Sequence, residues 1–283
     1  MIKTICPHYI GSTKSFYETA SLIADEGTFK GYYSFEIKPD ISRGVDATRD
    51  FFKTYKLIPV GFRVPINISD DEVDFELSLS EIEESIKLAA EIGYRNALTW
   101  TMPGSNRLNN QDYFEFLRKR LKIICETLRK YNLTLGVELV APYTLQVQYK
   151  YPFSCRLEML LELINSVESD NIGIILDAFH FYCAGHSVED YALISDVQVV
   201  MAHISDAVKE RSVNEQLDLD RRMPGETDTI DLSPFFQTLS RIGFEGAVIP
   251  EPLCPKFDDM EFTEALSLTA DALNRIWPTL TNL

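Results

Sequence analysis

The sequence is short of histidine, of positive charge and of paired cysteine, and each shortage closes off a class of function. Its five cysteines (Cys6, Cys125, Cys155, Cys183, Cys254) are scattered and odd in number, with no C-x-x-C pair. They read as reduced thiols rather than as a disulfide framework or a zinc cage. Lysine and arginine number 27 against 43 acidic residues, a formal net charge of −16. A field of that sign repels phosphate backbones and anionic bilayers, so neither nucleic acid nor a membrane is expected as a partner. A small phosphorylated substrate stays open, because a few local side chains decide that. No uncharged run reaches spanning length, and the first twelve residues lack a long apolar signal core. The expected location is cytoplasmic.

Hydrophobic residues make up 45% and charged residues 25% of 283. That suits one large domain with a sizeable core. No internal repeat, low-complexity segment or Pro/Gly/Ser linker divides it. Short β-rich runs alternate with longer helical ones: strands are expected at Lys3–Cys6, Tyr32–Ile37, Ile58–Val64, Asn96–Thr101, Thr134–Leu139, Ile172–Leu176, Val199–Ile204 and Ala247–Pro250. Most are apolar on both faces, as parallel strands under helices must be. Helical periodicity appears from Ser80, read as an N-cap, to Ile92 with Ile82, Ile86, Ala89 and Ala90 on one stripe. It recurs from Gln111 to Tyr131, from Pro234 to Ile242 and from Phe262 to Ile276. Eight alternations predict a single (β/α)8 barrel over residues 1–283. The irregular stretch from Asp206 to Leu232 then lies over the C-terminal mouth, where such barrels place their active sites.

Strands five to eight each close on a lone polar residue. T-L-G-V-E-L brings Glu138, I-G-I-I-L-D brings Asp177, V-V-M-A-H-I brings His203, and G-A-V-I-P-E brings Glu251. One carboxylate at a strand end is ordinary, since strands often finish in solvent. Four at one rim are different, because three carboxylates left unpaired would repel. A divalent cation resolves the repulsion, so Glu138, Asp177, His203 and Glu251 are the candidate metal ligands. Oxygen donors with one imidazole suit Mn²⁺ first, with Mg²⁺, Co²⁺ or Zn²⁺ also able to bind. Asp206 is a candidate to orient His203 from behind.

The segments N-I-G-I-I-L-D-A-F-H-F, A-H-I-S-D, D-R-R-M-P-G-E-T-D-T-I-D-L and I-P-E-P resemble the xylose-isomerase-like superfamily of sugar isomerases and epimerases. Within it, the chain is most similar to the inosose (2-keto-myo-inositol) isomerases. The resemblance is specific from Glu138 to Glu251 and architectural before that. It implies the same four metal ligands, with Glu138 and Glu251 doubling as the acid/base pair. It also implies that His180 and Arg221 contact substrate oxygens; of the adjacent Arg221 and Arg222, the R-x-x-P-G spacing selects Arg221. The implied reaction is an isomerisation or epimerisation of a keto sugar or keto cyclitol, by proton transfer through a metal-stabilised enediolate. The expected partner is thus a small carbohydrate, and a homo-oligomer is compatible with it.

Two departures stand out. Thr227 occupies the second glycine of the family's P-G-x-G, which suggests a different loop closure. Thr144 stands where ketose 3-epimerases place a second glutamate. The alternative reaction is a metal-dependent dehydratase of the inosose or dehydroshikimate type, which begins with the same proton removal. An abasic-site endonuclease, which shares the fold, needs more histidines than the four present. Glu36 reads as a solvated strand end, Trp100 as a sugar-facing wall or as core, and His8 as a substrate contact or a solvent-facing group. His186 reads as a surface residue, and residues 209–211 as a solvated charge cluster.

Overall fold

The computed structural model describes residues 1–277 apart from 67, 70–71 and 195–198. Eight strands form the expected closed parallel barrel: β1 (Ile2–Ile5), β2 (Gly31–Ser34), β3 (Ile58–Arg63), β4 (Asn96–Thr101), β5 (Thr134–Leu139), β6 (Ile172–Asp177), β7 (Val199–Ile204) and β8 (Ala247–Pro250). Each pairs with its sequence neighbour, and β8 closes on β1 through Ile2↔Ala247. Four strands have the expected bounds. The second ends three residues early, where the Ser34 hydroxyl turns to the Asp40 carboxylate and the chain enters a single helical turn, Ile37–Asp40.

The outer layer comprises α1 (Phe16–Glu26), α2 (Val45–Tyr55), α3 (Glu72–Ile92), α4 (Asn110–Arg129), α5 (Leu157–Ser166), the short α6 (Ala178–Cys183), α7 (Ser233–Arg241) and α8 (Phe262–Ile276). Helix α3 starts eight residues before the expected cap, so Ser80 lies inside it. The reason is the apolar stripe: Phe75 and Leu79 continue it backwards from Ile82 and Ile86, and packing overrides a local capping preference.

Two cores result. The larger fills the space between helices and barrel wall, with Phe62, Leu121, Leu135, Phe179 and Phe235 fully enclosed. Each such side chain contributes roughly 1.5–3 kcal/mol by leaving water. The smaller core fills the barrel itself, with Val60, Leu98, Ile175, Met201 and Ile249 among its members. Gly61 makes room for it, since a Cβ there would meet the Met201 sulfur at 2.7 Å. The barrel is a packed plug, and chemistry is confined to its rim. All five cysteines are free and buried. Among the described residues, no helix is long and apolar enough to cross a membrane.

Candidate active site

Glu138 is the fifth residue of β5, Asp177 the last of β6, His203 the fifth of β7, and Glu251 directly follows β8. One donor atom from each lies within 4.8 Å of every other, and all four residues are buried. Nδ1 of His203 is 2.8 Å from Glu138 Oε1, 3.1 Å from Glu251 Oε2 and 3.9 Å from Asp177 Oδ2. An ion about 2.1 Å from each donor sets adjacent octahedral ligands about 3.0 Å apart and opposite ones about 4.2 Å apart. The set therefore fits a divalent cation after shifts of a few tenths of an ångström. His203 packs edge-on against Tyr9 and Tyr33, and its buried Nε2 has no hydrogen-bond partner.

The electrostatics follow from confinement. Burial and then the neighbouring Glu251 hold the Glu138 carboxyl above the usual range. Burial pushes Glu251 the same way, but His203 and Arg221 outweigh it and hold its carboxyl well below that range. Burial would lower His203, yet the carboxylates of Glu251 and Glu138 hold it protonated well above its ordinary value. A bound cation would take over that role and displace the imidazole proton.

Arg221 is 1% exposed and points into the cluster. Its Nη1 donates to Asp177 Oδ2 (3.1 Å) and Glu251 Oε2 (2.9 Å), and its Nη2 to Asp218 Oδ1 (2.8 Å). The guanidinium carbon also lies 4.5 Å from the Phe179 ring centroid. Arg222 turns away to Asp220. Asp177 does two jobs: Oδ2 meets Arg221, while Oδ1 accepts the His180 N–H (2.9 Å) and so caps α6. That cap places His180 beside Arg221, Nε2 to Nη2 at 3.2 Å. The Ala141 N–H reaches His180 Nδ1 at 3.3 Å, and Nε2 faces the mouth, Arg221 and Asp218.

Three expectations change. Asp206 does not touch His203. Its carboxylate accepts the N–H groups of Ala207, Thr227 and Ile230, and its backbone bridges Arg222, so it pins the Arg221 loop to β7. Thr227 needs no left-handed conformation; Gly225 (φ 67°) and Asp228 (φ 55°) take those positions. The His186 side chain is fully buried, not solvated: Nε2 accepts the Leu157 N–H (2.9 Å) at the start of α5, and the ring stacks on Phe181. Thr144 donates to the Gln216 carbonyl, and Glu36 is exposed. Of the triplet at 209–211, Lys209 and Glu210 are exposed, whereas Arg211 pairs with Asp220. Sequence reasoning missed Asp218, whose only signal is its place three residues before Arg221, and Gln216, which is fully buried and ties Val208 to Arg211. A cavity of about 410 Å³ lies on the outer face, between Gly225, Phe236 and Trp277, away from the cluster.

This barrel and rim define a family: the chain belongs to the xylose isomerase-like TIM barrels, whose model matches residues 28–274. Curated relatives are named inosose isomerase; that of Bacillus velezensis is 19% identical over 228 residues, covering 80% of this chain and 78% of its own. The chain is accordingly an enzyme of the isomerase class. Among solved structures, a xylose isomerase domain protein from Alicyclobacillus acidocaldarius superimposes with a TM-score of 0.85 at 24% identity over 97% of both chains. The IolI protein with a bound zinc atom gives 0.82 at 18% identity, over 99% of this chain and 100% of that one.

Proposed function

We propose that the chain is a divalent-metal-dependent isomerase or epimerase of a keto sugar or keto cyclitol. The observation that carries this reading is the convergence of four buried donors, two of them glutamates, on one rim. Glu138, Asp177, His203 and Glu251 would hold the ion, with Mn²⁺ the first choice for a donor set of three carboxylates and one imidazole. When bound, the ion draws electron density from a substrate carbonyl and acidifies the neighbouring C–H. Glu138 and Glu251 then divide the proton work. One removes the proton from the carbon beside the carbonyl; the other returns a proton to the adjacent carbon or to the opposite face. His180 and Arg221 contact the substrate oxygens, and Asp218 holds Arg221 in place. The buried rim excludes bulk water, which strengthens each of these contacts.

The test is incubation of the metal-loaded protein with keto sugars and keto cyclitols in D₂O. One compound should take up solvent deuterium at a single carbon and give a product of unchanged skeleton. A product that has lost water would instead establish the dehydratase, and no exchange with any such compound would overturn the proposal. Glu138→Gln and Glu251→Gln should each slow conversion on the order of 10²–10⁴. Only the variant lacking the first base should also lose exchange. Near-parental turnover with metal retained would reduce both glutamates to ligands.

A further inference from the structure

All four donors lie on β5–β7 or directly after β8. The facing arc of the mouth, from β1 to β4, presents aromatic rings and one cation. Side chains alternate along a strand, and Gly61 faces the barrel interior against Met201, so Arg63 at the end of β3 faces inward at the rim. Trp100 follows Leu98 on the inner face of β4 and lies level with Glu138 in register. The guanidinium carbon of Arg63 lies 4.5 Å from the Phe35 ring centroid and 5.9 Å from that of Trp100. His8 stacks on Phe35 at 3.9 Å, extending the same shelf.

Arg63 is half-buried, and its Nε donates to the Phe35 carbonyl at 3.2 Å. Among the described residues, its two terminal amino groups make no hydrogen bond and it forms no ion pair. Arg221, across the mouth, donates to Asp177, Glu251 and Asp218 beside the proposed ligands. A guanidinium fixed by its inner edge against two rings, with the outer fork unspent, is built to receive a planar or tetrahedral oxyanion through paired N–H donors.

We infer that Arg63, held by Phe35 and Trp100, is a specificity-determining residue that binds a carboxylate or phosphate at the end of the substrate remote from the reacting carbons. This rests on the proposed reaction only in placing those carbons at Glu138 and Glu251. The substrate is then an acid or phosphate ester of a keto sugar or cyclitol. An aromatic shelf beside the cation packs the carbon skeleton between the two ends.

The sequence has two tryptophans, so Trp277→Phe leaves Trp100 as the sole indole reporter beside Arg63. Metal-loaded protein in that background is titrated with glycerol 3-phosphate, glycerate and glycerol. The anions should shift Trp100 emission saturably and glycerol should not; the stronger anion identifies phosphate or carboxylate as the natural group. Arg63→Gln should weaken anion binding roughly ten- to a hundredfold. Arg63→Met, which keeps an apolar stem between the rings, should do the same and carries the test if the glutamine variant does not fold. Equal responses to glycerol and the anions, or unaltered anion affinity in the Arg63 variants, would overturn the inference. Absence of deuterium exchange with every keto compound would instead sink the proposed reaction, and the titration would still decide the role of Arg63.

Discussion

Replacing Asp40 by asparagine should remove a pH dependence of stability that is built into the first arc. Asp40 is 5% exposed. Its Oδ1 accepts the Phe16 N–H at 2.8 Å, while Oδ2 receives the Tyr32 and Ser34 hydroxyls, so one carboxyl ties α1 to β2. Burial outweighs these hydrogen bonds and raises its pKa from 3.8 to about 6. The folded state therefore binds this proton more tightly than the unfolded chain. The stabilisation it brings is complete below about pH 4 and is lost as the pH rises through about 6. The span from 3.8 to about 6 corresponds to roughly 3 kcal/mol. Asparagine keeps an acceptor for Phe16 and can donate to the two hydroxyl oxygens, so Asp40→Asn should fold. Urea denaturation followed by circular dichroism, at steps from pH 4 to pH 8, compares the two proteins. The variant should gain on the parent by roughly 3 kcal/mol across that range. A stability difference that stays flat, or that moves in the parent's favour as pH rises, would refute the reasoning.

Exhaustive chelation should abolish turnover, with Mn²⁺ or Co²⁺ restoring it better than Ca²⁺, whose larger shell suits this tight four-donor set poorly; full activity in metal-free protein by elemental analysis would contradict this. His203→Ala should lose metal, whereas His180→Ala should keep it and raise the KM, since His180 faces Arg221 and Asp218 rather than the donor set. Equal metal loss in both variants would make His180 a ligand.

The barrel was legible because strands buried on both faces leave continuous apolar runs. Its rim was legible because a lone Glu138 or Asp177 interrupts such a run at its end. Other features depend on contacts distant in sequence. Ser80 offers a plausible cap, but only the packing of Phe75 and Leu79 reveals that the helix has already begun. His186 reads as a surface residue until the chain brings it to the first turn of α5. Asp206 adjoins the His203 strand, yet its carboxylate is spent on three backbone N–H groups that approach it from up to 24 residues away. Arg63 is an ordinary strand-end cation in the sequence; only the register of β3 and β4 sets it beside Trp100.

The separation of the two arcs has a consequence for engineering. Every proposed metal ligand lies between β5 and the residue after β8, while His8, Phe35, Arg63 and Trp100 lie on or just after the first four strands. A combinatorial library confined to those four rim positions would vary what the mouth admits without altering a proposed metal ligand. Such a library can be screened for new substrates with Glu138 and Glu251 unchanged, so loss of activity in a clone would report on the varied arc rather than on the two proposed proton-transfer groups.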